Sequence, residues 1–522
     1  MGVHMKVRAL PAVFVALGLA LGACGKKKDT ASPIPPPAPN RFTSPEAEAD
    51  EEEEEEEEDL DADAGDDEEG GFGKPKAAEP KAAEPKAAAP KSTAWMHGAA
   101  KKLAAHAKGK TRAWDRLAEM TDTYGHRLSG SKALEQAIDW TIDTMKADGL
   151  ANVRREKVMV PKWVRGKESL RVVAPFDRDL RMLGLGMSVG TQGTLRGEVV
   201  VVDHVHDIAK QKKESLAGKI VLVNQVMPPY DAKKHESHYG DTVIARSIGA
   251  SEAAKMGASA VLIRSVTATS LDTPHTGALN YAEGVRKIPA AAVTPEAADT
   301  LARAAKRGKV KVALQMGAKH LGDVPSANAI GELVGREKPE EVVVIGGHID
   351  SWDVGTGASD DGAGCLIAME AALLLKELEL VPRRTIRVVL FTNEENGLRG
   401  GLAYFDAHGK EKHAGAIESD SGSGAPFGFS IKTEDKAKEK QVMSWRKAFA
   451  PLHADHFFTG WGGADISPLT KVGVLSMALA PDGSRYFDLH HSPADTVDKI
   501  DPAHIEGNAA AMALMAYILA EV

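Results

Sequence analysis

Apolar residues recur at helical spacing over 94–107 and again over 111–149. In the second stretch Trp114, Leu117, Met120 and Leu128 form one apolar set, and Leu134, Ile138, Trp140, Ile142 and Met145 form another. Gly149 closes the second helix, and Val153 to Val160 predicts a strand. The texture then changes. Between about 170 and 315 the chain offers short β runs at Leu170–Val173, Gly197–Val202, Lys219–Val223, Ala260–Ile263 and Ala290–Val293, with a helix over Ala245–Met256. Apolar runs that read as buried strands return at Val342–Ile345, Thr385–Phe391, Gly415–Ser419 and Val472–Ala478. Unbroken runs of this kind predict strands covered on both faces. Helical stretches separate them, among them Cys365–Leu380. The pattern predicts an α/β fold: a mixed, mainly parallel sheet flanked by helices, formed by residues 94–165 and 320–522, with a smaller α/β domain inserted over 166–319.

Residues 1–93 follow a different logic. Lys6 and Arg8 precede an apolar run, Ala9 to Ala23, too short and too Gly-rich for a spanning helix. It ends in Leu21-Gly22-Ala23-Cys24, which resembles a bacterial lipoprotein cleavage box. Residues 1–24 therefore read as a signal peptide, with Cys24 as the lipidated first residue of the mature chain. Multiple acyl chains anchor firmly where one is marginal. Residues 25–93 combine Lys-, Ser- and Pro-rich sequence, an acidic block and Lys-Ala-Ala-Glu-Pro repeats, and read as a solvated tether. The expected location is the bacterial cell envelope, with the folded part outside the cytoplasm.

Charge and cysteine content narrow the classes. Net charge is −9, but residues 46–69 alone hold 18 Asp and Glu, which leaves +9 for the remainder without a dense basic patch. Nucleic acid is not indicated as a partner. Two cysteines, Cys24 and Cys365, provide no disulfide framework. Cys365 lies in an apolar helix and reads as a packed thiol. The polar loop 227–242 holds His235 and His238, read as surface histidines.

Candidate chemistry follows these last four apolar runs. After Ile345 come His348, Asp350, Asp353, Asp360 and Asp361 among glycines; after Phe391 come Glu394 and Glu395; after Ser419 comes Asp420; the last run leads to His490-His491-Ser-Pro-Ala-Asp495-Thr. Open α/β sheets bind ligands beyond the carboxyl ends of their strands. Imidazole and carboxylate together suit zinc. Two adjacent glutamates at the end of a core strand are not the solvated helix face that such a pair usually marks.

His348-x-Asp350, Asp360-Asp361-Gly362, Glu394-Glu395, Glu418-Ser419-Asp420 and His491-Ser-x-x-Asp495-Thr resemble the co-catalytic di-zinc exopeptidase family of aminopeptidases and glutamate carboxypeptidases, over residues 110–520. The resemblance implies two zinc ions per chain. His348 and Asp420 would hold one, Glu395 and His491 the other, and Asp360 would bridge them. His491 is chosen over His490 because it immediately precedes Ser-Pro-Ala-Asp-Thr. Glu394 would be the general base and Asp350 the carboxylate that orients the ligand histidine. The Asp360–Asp361 peptide would be cis, and the insert would be of the protease-associated type. Implied substrates are short unblocked peptides, dipeptides best, and relatives suggest a homodimer. Other readings on this fold are a glutamate-type carboxypeptidase, a non-catalytic receptor-like relative and a single-zinc acyltransferase. The first needs an arginine in the cleft, and Arg399 and Arg485 lie near motifs. The full donor set together with Glu394 argues against the other two.

Overall fold

A computed structural model describes residues 93–522. The readings of Cys24, the signal peptide and the tether lie outside the described residues. Three helices open the described chain, Ala94–Ala107, Arg112–Tyr124 and Lys132–Ala147. Gly125 and Gly130, both at positive φ, interrupt the 111–149 stretch. The third helix is capped by Ser131, whose Oγ accepts the Leu134 N–H, and Gly149 follows its end at φ +70°.

Among the described residues sixteen strands form two sheets. The first strand is β1 (Ala151–Val164). Then come β2 (Glu168–Ala174), β3 (Arg178–Leu180), β4 (Met182–Gly184), β5 (Leu195–Val202), β6 (Ile220–Val223), β7 (Ala260–Arg264), β8 (Ala290–Val293) and β9 (Lys311–Met316). The chain continues with β10 (Lys319–Leu333), β11 (Lys338–His348), β12 (Arg384–Phe391), β13 (Lys412–Glu418), β14 (Gly428–Lys432), β15 (His456–Thr459) and β16 (Ser476–Ala480). The main sheet has the order β1-β10-β12-β11-β13-β16-β14-β15, and the second has β3-β2-β9-β5-β6-β7-β8-β4. β12, β11, β13 and β16 run parallel, β1, β10 and β12 pair antiparallel in that order, and β14 runs antiparallel to β16 but parallel to β15.

Both faces of the main sheet are covered, which explains the unbroken apolar runs. Val343 and Ile345 point to a core shared with helices Arg112–Tyr124, Ala363–Glu377 and Pro502–Glu521. Val342 and Val344 point to the opposite core, with Val389, Phe391, Tyr404 and Ile466. The second sheet repeats this design. Val221 and Val223 pack with helix Ile244–Lys255, and Ile220 and Leu222 pack with helix Pro295–Arg307. Residues 168–316 build the second sheet entirely, and the paired strands β1 and β10, with Val164 opposite Lys319, frame its entry and exit.

Several strands differ from the sequence reading. Val472–Ala478 was expected, but the strand is Ser476–Ala480, preceded by a short helix Ser467–Thr470 and a turn with Gly473 at φ +89°. Val472 is exposed, so its apolar character is not core character. The long partner β10, β14 and the edge strand β15 carry no apolar run comparable to the central four, and pattern alone does not reveal them. Among the described residues no helix is long and apolar enough to cross a membrane.

Candidate metal centre

The four neighbouring parallel strands deliver their loops to one end of the sheet. β11 ends on His348 itself. Its loop returns through Asp360, joined to Asp361 by a cis peptide, into helix Ala363–Glu377. β12 ends three residues before Glu394, and β13 ends two residues before Asp420. After β16, the short helix Tyr486–Leu489 presents His490 and His491.

Asp360 lies at the middle. Its Oδ1 is 3.2 Å from His348 Nε2, and its Oδ2 is 3.2 Å from His491 Nε2. His348 Nε2 is also 3.5 Å from Asp420 Oδ1, and His491 Nε2 is 3.0 Å from Glu395 Oε2. His490 reaches Asp360 only at 3.8 Å, with its ring stacked on His491 at 3.5 Å between centroids. Two donor groups therefore share one carboxylate. His348, Asp360 and Asp420 form one, and Asp360, Glu395 and His491 form the other.

These donors fit zinc. Ligands at ~2.0–2.1 Å around a tetrahedral ion stand about 3.3 Å apart, close to the four separations observed. Asp360 Oδ2 and Glu395 Oε1 are buried without a hydrogen-bond partner among the described residues, a costly condition for carboxylate oxygens unless a cation meets them.

The surrounding carboxylates hold backbone. Asp361 accepts the N–H groups of His348 and Gly364 at 2.9 and 3.0 Å. Asp495 accepts those of Ser359 and Asp360 at 2.7 and 3.1 Å, which fixes the approach of the shared carboxylate. Glu418 receives the Ala464, Asp465 and Ile466 N–H groups. Gly364 admits this packing because an added Cβ would stand 2.0 Å from Ser419 O.

Asp350 does a different job from the one expected. The Nδ1–H of His348 donates to the Asp350 backbone carbonyl at 3.0 Å, whereas the Asp350 carboxylate is 3.8 Å from that nitrogen. The carboxylate instead accepts the N–H groups of Glu394 and Glu395 at 3.0 and 3.3 Å and the Ser129 hydroxyl at 3.1 Å. Asp350 thus orients His348 by its main chain and the two glutamates by its side chain.

Sequence reading missed Arg127, which is fully buried. Its guanidinium donates to the carbonyls of Ile349, Thr356 and Gly357 at 2.7, 2.7 and 2.8 Å and holds the loop between His348 and Asp360. The signal available was its place in a Gly-bounded turn, which suggests no function. The insert's part was also invisible. Thr276 N–H donates to His491 O at 2.9 Å, and His275 Nδ1–H donates to His490 O at 2.6 Å. His491 Nδ1 faces Thr276 O at 3.3 Å, and Arg246 Nη1 lies 3.2 Å from that nitrogen. Trp352, on the loop after β11, packs where Gly186 of the insert lacks a side chain: a Cβ there would lie 1.8 Å from its ring. Arg399 pairs with Asp323 and Arg485 with Asp488, both on exposed surface.

Electrostatics mark the same cluster. Burial, then the charges of Asp420, Asp465 and Glu395, pushes Glu394 well above the usual carboxylate range. Burial, then Asp360, pushes Glu395 to about 7. Burial disfavours a charged His348, but the facing Asp360 and Asp420 outweigh it and hold the imidazole well above its ordinary value. A dication among these groups replaces the proton they would otherwise share.

Comparisons with known proteins agree on one family. The family model described as Peptidase family M28 matches residues 328–516. Carboxypeptidase Q of Mus musculus is 42% identical over 426 residues, covering 80% of this chain and 88% of that protein. The Homo sapiens protein of the same name is 40% identical with the same coverage. A crystal structure of a Peptidase M28 precursor from Shewanella amazonensis SB2B superposes with TM-score 0.78 at 38% identity, covering 83% of this chain and 98% of that one. A zinc aminopeptidase from Bacillus subtilis, at 20% identity and TM-score 0.60 over 79% and 96% of the two chains, shares the fold.

Proposed function

The chain belongs to peptidase family M28, and from that premise we propose that it is a di-zinc exopeptidase that hydrolyses short unblocked peptides, dipeptides best. The observation that carries this reading is the pair of donor groups sharing Asp360, with Glu394 beside them and outside both. His348 and Asp420 would hold one ion, Glu395 and His491 the other, and Asp360 both. Bound zinc supplies Lewis acidity toward the scissile carbonyl and makes water acidic enough to attack near neutral pH.

The chain's own residues do the rest. Glu394 takes a proton from the attacking water on its carboxylate and delivers it to the departing amine. Asp350 fixes the backbone of Glu394, so the base keeps its aim as its charge changes. The carboxylates of Asp350, Asp360, Glu394, Glu395 and Asp420 outnumber the charge of two dications, so the site retains negative potential for a substrate α-ammonium. The lipoprotein box at Cys24 supports a membrane-anchored enzyme, and a homodimer is part of the proposed reading.

A glutamate-type carboxypeptidase is the second reading. The observation in its favour is Arg246, a buried guanidinium next to His491 whose Nε has no partner among the described residues. One experiment separates the two. A free dipeptide, its N-acetyl form and its C-amide form are compared on protein of measured zinc content. The dipeptidase reading expects the N-acetyl form to be cleaved far more slowly than the free one. Equal rates would transfer the assignment to the carboxypeptidase.

A further inference from the structure

The segment joining β6 to helix Ile244–Lys255 leaves the second sheet and returns only at Tyr239. It is built as a narrow hairpin. Asp231 and Glu236 exchange backbone hydrogen bonds at 2.8 and 3.2 Å, and the Asp231 carboxylate accepts the N–H groups of Lys233 and Lys234 across the turn. His235, next to the turn, does not project into solvent alone. Its ring lies on Phe427 at 4.4 Å and near His456 at 5.3 Å, and those two rings are 4.3 Å apart. Tyr230 Oη meets His235 Nδ1 at 3.3 Å.

Topology tells where this contact is. β14 runs antiparallel to β16, so Gly428 at its start lies opposite Ala480 at the end of β16. β15 is parallel to β14, with His456 opposite Gly428. Phe427 and His456 therefore stand at the edge of the main sheet on the side where the metal loops emerge. The other end of the hairpin stands over the metal centre. Tyr239 stacks on Phe487 at 4.5 Å, meets His490 edge-on at 5.2 Å, and receives a hydrogen bond from Arg246 Nη2 at 2.6 Å. The hairpin thus runs from the histidine pair to the edge of the sheet.

We propose that residues 230–239 roof the substrate cleft and set the length of peptide it accepts, with His235 on Phe427 and His456 as the specificity-determining latch. This rests on the peptidase reading. On this proposal the hairpin covers a dipeptide, and each additional residue lifts its tip from the main domain. His235 and His456 are exposed, so replacing either one opens the latch without disturbing a core.

The test uses His235→Ala and, from the other side of the latch, His456→Ala, in the full zinc-loaded chain. Free di-, tri- and tetra-alanine are the probes. Loss of ring contacts of this kind should raise the tripeptide-to-dipeptide ratio of kcat/KM by about fivefold to tenfold in both variants, with dipeptide kcat/KM within about twofold of wild type. A ratio unmoved in both variants, while wild type cleaves the dipeptide, overturns the roof and leaves the peptidase reading standing. Wild-type protein that cleaves none of the three peptides brings down both.

Discussion

Glu394 and Glu395 are neighbours in the chain with separate tasks. Glu395 Oε2 faces His491 Nε2 at 3.0 Å, whereas Glu394 belongs to neither donor group. Both backbones hang from the Asp350 carboxylate. Glu394→Gln keeps the shape of the side chain and removes its proton acceptor. Zinc content should stay at the wild-type value while kcat falls about 10²–10⁴-fold, the range for a general base. Asp350→Asn should behave differently, because an amide offers one acceptor oxygen where the carboxylate serves Glu394 and Glu395 with two. It should weaken zinc affinity or rate by ~10–100-fold. Chelator competition and dipeptide turnover on both variants check the pair: a Glu394→Gln protein near wild-type activity would remove the base assignment.

At the scale of elements, helix Arg399–His408 is tied to the main sheet by its last residue. His408 Nε2 meets Glu156 of β1 at 2.6 Å, and its Nδ1 meets Glu411 at 2.6 Å. The hydrogen bond to Glu156, with that to Glu411, raises His408 above the ordinary imidazole value although burial opposes it. A histidine raised on folding contributes stability that is complete below its unfolded value, ~6.5, and is lost as pH rises through its folded value. Stability of the wild type to urea should therefore weaken as pH rises above about 6.5, and His408→Gln should flatten that slope. Equal slopes in the two proteins would show that the contact titrates without linkage to folding.

At the scale of the whole molecule, the insert is not an accessory placed beside a finished site. Thr276 and His275 hold the main chain of His491 and His490, and Gly186 receives Trp352 from the metal loop. The histidines at the end of the chain are held by residues more than two hundred positions earlier. The other end of the molecule should tether it. Cys24→Ser should release the protein from the membrane fraction of expressing cells, measured by fractionation and immunoblot. A variant that stays in that fraction would point to an uncleaved apolar helix over Ala9–Ala23.

Periodicity determined the central strands β11, β12 and β13, because strands buried on both faces must be apolar at every position, and that is visible without coordinates. Local order also put donor-rich loops after those strands, and the Asp360-Asp361-Gly362 and His491-Ser-Pro-Ala-Asp495 stretches were legible as motifs. The start of β16 was misread because Val472 is apolar yet faces solvent. Only tertiary structure decided how Asp350 acts, since its carbonyl serves a partner 2 positions away and its carboxylate one 44 positions away. It alone brought Arg127, Arg246 and Thr276 to the site. Their contacts span long sequence separations and obey no period, so no window of the chain contains both partners.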